Sequence, residues 1–146
     1  MAYSFKSPES EQEWRNYYQL RWQILRAPWQ QPLGSERDEF ENEAFHIMAL
    51  DGQDTVTGVG RLHRLSANSV QIRYMAVHAQ HQGKGLGSRI LQQLEKQARE
   101  WEIQEILLNA RTTALDFYLH HGYQITGEAP MLFDSIAHKR MRKLLN

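Results

Sequence analysis

The residues Gln82-Gly83-Lys84-Gly85-Leu86-Gly87-Ser88 form the stretch of this 146-residue chain best suited to chemistry. Glycines at alternate positions let the backbone approach an anion with no Cβ in the way and turn successive N–H groups toward it. Directly behind them Leu86, Ile90, Leu91, Leu94, Ala98 and Trp101 recur at helical spacing. The turn therefore opens on a helix N-terminus, whose partial positive charge adds to the pull on an anion. The ligand predicted from this is a phosphate or pyrophosphate. A Walker loop is a poor fit, because Ser88-Arg89 stands where a Lys-Ser/Thr pair belongs. A dinucleotide fingerprint fails too, since its third glycine falls on Ser88.

A strand must deliver the chain to that turn. In Val70-Gln71-Ile72-Arg73-Tyr74-Met75-Ala76-Val77 the residues Val70, Ile72 and Tyr74 share one face by alternation. Met75 and Val77 then make the other face apolar, which predicts a strand covered on both sides near its end. Upstream, Tyr3-Ser4-Phe5 suits a short first strand and Ser7-Pro8-Glu9-Ser10 starts a helix that stops before Pro28. Its aromatic stripe, Trp14, Tyr17 and Tyr18 with Ile24 and Leu25, has the spacing of core rather than of a ligand cage. Pro28 to Ser35 is turn-rich, and Glu36 to Asn42 is charged and predicted to be helical. Phe45 to Leu50 and Val56 to Leu65 read as strands, joined by Asp51-Gly52-Gln53-Asp54 with Gly52 where positive φ is expected. Ile103 to Ala110 is the fifth strand, Thr112 or Thr113 caps a short helix ending at Gly122, and Tyr123 to Thr126 with Ile136 to Leu144 complete the set.

Composition narrows the function classes. One domain, residues 1–146, is expected from the length. With 17 lysines plus arginines against 17 aspartates plus glutamates, no basic field exists to draw in nucleic acid. No apolar run has membrane-spanning length, and the first residues lack the apolar core of a signal peptide, so a cytoplasmic protein is expected. Cysteine is absent, which removes an acyl-cysteine intermediate and thiolate metal sites. His120-His121 are adjacent and point apart on a helix, with no metal-spaced carboxylate beside them, so no metal is expected.

Gln82-x-x-Gly85-x-Gly87 resembles the Q/R-x-x-G-x-G/A signature of the GNAT family of N-acetyltransferases. Ala114-Leu115-Asp116-Phe117-Tyr118-Leu119-His120-His121-Gly122-Tyr123 is similar to that family's A-x-x-F-Y-x-x-x-G-F/Y segment, in the right order at a fitting separation. Further stretches, Tyr17 to Trp22, Leu25-Arg26-x-Pro28, Gln31 to Asp38 and Arg73 to His78, resemble the N-terminal acetyltransferase half of bacterial proteins fused to a hot-dog, thioesterase-like domain. This sequence ends at Asn146 with no second domain, so no thioester hydrolysis is carried over.

The resemblance implies an α/β (α+β) GNAT fold: a mixed, mostly antiparallel sheet of six to seven strands flanked by four helices. It implies acetyl-CoA as co-substrate, held by Gln82, Gly83, Lys84, Gly85, Leu86, Gly87 and Ser88 at its pyrophosphate and by Met75, Ala76, Val77 and Asn109 along pantetheine. One of the N–H groups of Met75, Ala76 or Val77 would serve the oxyanion, and Tyr118 would be the general acid, a role suited to a phenol that stays protonated at pH 7. Trp29 and Arg37 would be candidates for contact with the acceptor, the alternative being a solvated loop. Removing the proton of an alkylammonium at pH 7 costs about 4 to 5 kcal/mol, so a base is needed. No carboxylate stands on Val70 to Arg73 where some relatives keep one, which leaves His63, His78, Glu41 or a water chain. The expected reaction is direct transfer of acetyl to a primary amine of a small molecule or protein, by a protein expected to pair as a homodimer. The rival expectation is an acyl-CoA-binding or sensing module without chemistry.

Overall fold

The computed structural model describes residues 2–145. Strand β1 (Ser4–Lys6) leads into helix α1 (Glu11–Leu25), then β2 (Phe45–Leu50), β3 (Val56–Arg64) and β4 (Ser69–Val77). Helix α2 (Leu86–Glu100) follows, then β5 (Glu105–Arg111), α3 (Leu115–His120), β6 (Gln124–Leu132) and β7 (Ile136–Leu144). The strands make one seven-stranded sheet in the order β1-β2-β3-β4-β5-β7-β6. Every neighbouring pair is antiparallel except β4 with β5.

Each helix starts for a local reason. Ser10 accepts from the Glu13 N–H at 3.1 Å while the Glu13 carboxylate accepts from the Ser10 N–H at 3.1 Å, a reciprocal cap that fixes the start of α1. Tyr17, Leu20 and Leu25 then pack against Met48, Val59, Tyr74 and Ala76 on one face of the sheet, so the stripe is core at Tyr17 and Leu25, while Trp14, Tyr18 and Ile24 are half-buried at its margin. On the other face α2 buries Leu86, Ile90, Leu91, Leu94 and Ala98, each worth roughly 1.5–3 kcal/mol for the larger side chains. Helix α2 lies close to the sheet because β3 offers glycines beneath it: a Cβ on Gly58 would sit 2.5 Å from Ile90 Cδ1.

Several expectations need correction. Three α-helices are present among the described residues, not four, because Glu36 to Asn42 forms turns and only Glu41–Glu43 is a short 3₁₀ turn. Its acidic side chains are drawn away to buried arginines, which outweighs local helix preference. In the β2–β3 turn it is Asp54, at φ 59°, and not Gly52 that takes the left-handed conformation. No threonine hydroxyl caps α3, whose first turn is entered through a 3₁₀ turn at Thr112–Ala114. Tyr74 does not share a face with Val70 and Ile72. It stands at φ 63°, and the β3–β4 register slips between Val59 and Arg61, so Gly60 faces Tyr74 and Met75 together. This bulge turns Val70 and Ile72 toward α2 but Tyr74 and Ala76 toward α1.

Candidate active site

β4 and β5 are paired only at Ser69–Glu105, Val70–Ile106 and Gln71–Leu107. Beyond Gln71 the two strands part: β4 stays with β3 as far as Val77, and β5 stays with β7 as far as Arg111. Between them opens a cavity of about 450 Å³, lined among others by Met75, Asn109, Tyr118, Arg26, Arg111 and His138. The edge of β4 that faces β5 has no ladder partner from Ile72 onward, so its backbone groups are free for an extended ligand chain. A larger depression of about 610 Å³, lined by Trp14, Tyr18, Arg37 and His46 among others, touches neither the glycine turn nor Tyr118.

The glycine turn stands at the exit of β4. Gly83 and Gly85 both have φ 77°, which L side chains rarely adopt, and a Cβ on either would project into open space. Gly85 is the residue before α2, and no side chain caps that helix. The first intrahelical bond runs from the Arg89 N–H to the Gly85 carbonyl at 3.2 Å, so the amides before it remain for an anion. Gly87 lies within the helix, and a Cβ there would meet Phe117 at 3.5 Å. Lys84 is exposed, and Leu86 is buried in the core, so that only its N–H can face a ligand. Gln82 folds back, donating from Nε2 to the Val77 carbonyl at 3.0 Å, and the Ser88 hydroxyl hydrogen-bonds His121 Nε2 at 2.8 Å.

Tyr118 comes from α3 to the wall of the cavity. Its hydroxyl donates to Met75 Sδ at 3.5 Å, and burial pushes its pKa up to about 12. It is therefore a protonated donor at pH 7, beside the β4 bulge. Asn109 is exposed on the edge of β5 that faces the gap, consistent with reach to a ligand amide.

Beneath the bulge lies a buried ionic network. Arg61 donates to Asp38 at 2.6 and 3.0 Å and to Glu41 at 2.7 Å, while Arg21 donates to Glu41 at 2.9 Å and to the Tyr17 hydroxyl at 2.8 Å. Arg73 adds a 2.8 Å bond to Asp38. The guanidinium carbons of Arg21, Arg73 and Arg61 stand 4.3, 4.5 and 4.9 Å from the centre of the Tyr74 ring, offsetting the strain of its left-handed backbone with cation–π attraction.

This network disposes of two of the expected bases. Burial pushes the Glu41 carboxyl up, but Arg21 and Arg61 outweigh it and hold the group below the usual carboxylate range. His63 accepts from Arg61 at Nδ1, 2.9 Å, and its Nε2 is buried without a partner, so no lone pair reaches a substrate. His78 uses Nδ1 to accept from the Gln80 N–H at 3.1 Å and does not line the cavity. Arg37 is also outside it, paired with Glu36 and stacked 3.8 Å from the Tyr18 ring centre. Trp29 is near the cavity, its ring under the Arg111 guanidinium at 4.8 Å.

Three lining residues escaped the sequence reading. In the sequence Arg26 stands out only as part of a motif, and Arg111 and His138 belong to none. Arg111 lies two positions beyond Asn109 on β5, so strand alternation places it on the same face and was the available signal. His138 pairs with Arg111 across the β5–β7 ladder, a register no local pattern reveals. Its Nδ1 hydrogen-bonds the Ile136 carbonyl at 3.0 Å, which makes Nδ1 the protonated nitrogen and leaves the lone pair on Nε2. Among the described residues no cluster of metal-ligating side chains occurs, and no helix is long and apolar enough to cross a membrane.

A chain with this splay, turn and tyrosine has relatives. Over 135 residues it is 32% identical to the uncharacterized N-acetyltransferase YjcF of Bacillus subtilis, covering 92% of this chain and 95% of that protein. A GNAT family acetyltransferase from Elizabethkingia anophelis with acetyl-CoA bound superposes with a TM-score of 0.81 at 14% identity, covering 98% of each chain. An aminoglycoside 6'-N-acetyltransferase complexed with coenzyme A gives 0.79 at 17% identity, over 99% of this chain and 97% of that one. The family described as Acetyltransferase (GNAT) domain matches residues 25–145. With the fold and the sequence in agreement, this chain belongs to the GNAT acetyltransferase family.

Proposed function

We propose that the protein binds acetyl-CoA in the gap between β4 and β5 and transfers its acetyl group directly to a primary amine of a small molecule or protein. The observation that carries this reading is the Tyr118 hydroxyl placed at Met75 beside an unpaired β4 edge, with the glycine turn at the same strand's exit. The amine nitrogen attacks the thioester carbonyl carbon, and an N–H of Met75, Ala76 or Val77 steadies the oxyanion. The C–S bond then breaks, and Tyr118 gives its proton to the departing thiolate. His138 Nε2 takes the proton lost by the amine. Pantetheine lies along β4 with its amides near Asn109, and its pyrophosphate meets Gly83, Gly85 and the amides that open α2. The cytoplasm, where acetyl-CoA is available, is the compartment this reaction needs.

A non-catalytic acyl-CoA-binding module is the second reading, favoured by a cavity lining that, among the described residues, includes no carboxylate. CoA release with a panel of amines decides between them: a binding module shows none above hydrolysis.

Acetyl-CoA at a hundredfold excess over Kd should stabilise the wild type by about 2.7 kcal/mol. Gly85→Val should lose that stabilisation, because its Cβ fills the anion's approach and φ 77° strains the turn. An equal thermal shift in both proteins would refute the site.

Burial, and to a smaller extent the nearby Arg111, lowers the His138 pKa below its ordinary value despite the Ile136 carbonyl. The imidazole is thus neutral at pH 7, and kcat/KM should fall as pH drops through that lowered value. His138→Gln should flatten this acid limb, and an unchanged pH profile would assign the proton to water.

The exposed edge of β6 carries Ile125 and Met131, 46% and 57% exposed, a surface suited to pairing two copies as a homodimer. Light scattering at micromolar concentration should give twice the chain mass, and a purely monomeric solution would overturn it.

A further inference from the structure

The acceptor end of the cavity is charged in a way that bears on which amine enters it. Arg26 comes from the end of α1 and is 5% exposed. It donates from Nε to the Ser35 carbonyl at 2.9 Å and from Nη1 to the Leu25 carbonyl at 2.9 Å, and so spends its bonds on neutral groups. Arg111, at the end of β5, is half-buried over the Trp29 ring. Among the described residues no carboxylate lies within ion-pair distance of either. Three acidic side chains lie nearby and all are engaged: Asp38 and Glu41 are shared among Arg21, Arg61 and Arg73, and Glu36, 3% exposed, pairs with Arg37 and accepts from the Gly34 N–H. Asp134, at the tip of the β6–β7 hairpin, is exposed and makes no ion pair.

Six guanidiniums, those of Arg21, Arg26, Arg37, Arg61, Arg73 and Arg111, therefore stand at this end of the fold against the three carboxylates of Glu36, Asp38 and Glu41, in a chain whose formal net charge is zero. A guanidinium withdrawn from water without a counter-ion is costly, and its planar fork matches a carboxylate or phosphate edge to edge.

These cations do not face the pyrophosphate side. Ile106, Leu108 and Ala110 of β5 point into the core beneath α2. By alternation Asn109 and Arg111 point to the opposite face, where α1 ends and Trp29 lies. The glycine turn belongs to α2, on the other side of the sheet.

Resting on the acetyl-transfer reading, we infer that the acceptor is a small amine that also carries an oxyanion, such as a carboxylate, gripped by Arg111 and Arg26. The same field disfavours an ammonium and so eases release of the proton that the attacking nitrogen must lose. It repels a polycation. An aminoglycoside, the acceptor named for one structural neighbour, and a polyamine are thus poor acceptors here.

The test measures CoA release by the full chain with acceptors matched in length and amine basicity. Alkylamines are compared with ω-amino acids, with aminoalkyl phosphates, and with polyamines. The anionic member of each pair should show a kcat/KM higher by about tenfold to a hundredfold. The carboxylate and phosphate series separate the two sources of the oxyanion. Arg111→Gln should collapse that preference by about tenfold or more while the KM for acetyl-CoA stays within about twofold, and Arg111→Lys should recover part of it. An uncharged amine or polyamine preferred over the anionic ones overturns the inference, as does an Arg111→Gln protein that loses acetyl-CoA affinity and keeps its acceptor ratio. A protein that binds acetyl-CoA but acetylates no amine at all overturns the transfer reading itself, and the inference with it.

Discussion

Tyr118→Phe is expected to lower turnover by roughly two to four powers of ten while acetyl-CoA affinity changes by less than about tenfold. The substitution removes one oxygen. What the structure records that oxygen doing is donating to Met75 Sδ at 3.5 Å, a long bond to a weak acceptor whose loss costs little stability. The ring keeps its edge contacts with Phe117 and Tyr123, 5.0 and 5.7 Å between centroids. With a pKa pushed up to about 12, the phenol can give a proton at any physiological pH. A thiolate made more acidic leaves with less help, so the loss should shrink with an activated thioester. Full turnover in the variant would make Tyr118 a packed aromatic, and parallel loss of binding and turnover would make it a cofactor contact.

Arg61→Ala should cost about 3–5 kcal/mol of stability, on the order of a 10 °C fall in Tm. Arg61 is 0% exposed and holds both Asp38 and Glu41, which would be left buried against fewer cations. Burial raises both carboxyls, but Arg61 at Asp38 and Arg21 at Glu41 lead the groups that pull them below their ordinary values. Carboxyls depressed in the fold contribute stability above their unfolded pKa of about 4, and that contribution is lost as pH falls toward the folded values. Denaturation midpoints should therefore drop on acidification below about pH 4 in the wild type and be flatter there in Arg61→Ala. A Tm change of only a degree or two would mean the network is as solvent-screened as a surface pair.

The parts of this fold that a reader could see in the sequence are those set by neighbours along the chain. Phe45–Leu50 is a strand at the predicted bounds, and the stripe from Leu86 to Ala98 is buried as its period implies. The glycine turn also sits where its composition says. What stayed hidden depends on partners far away in sequence. Alternation from Val70 puts Tyr74 beside Ile72, and nothing local reveals that Gly60 faces two residues of β4 or that guanidiniums from α1 and β3 clasp the ring. The charged run from Glu36 has helical composition, yet Asp38 reaches Arg61 and Arg73, 23 and 35 positions away, and the segment follows those bonds. His138 and Arg111 are unremarkable residues until the β5–β7 register sets them side by side.

The three rungs between β4 and β5 make the sheet a pair of calliper arms pivoting at Gln71. From that pivot to Val77 the arm runs for about 20 Å at ~3.3 Å per residue, so a rotation of about 5° moves its tip by close to 2 Å. Catalysis notices far less, since about 1 Å of misplacement can cost a hundredfold in rate. Side chains packed around the pivot, among them Val70 and Ile106, both fully buried, therefore act as a setting screw for the acyl transfer proposed at Met75, four residues along the arm.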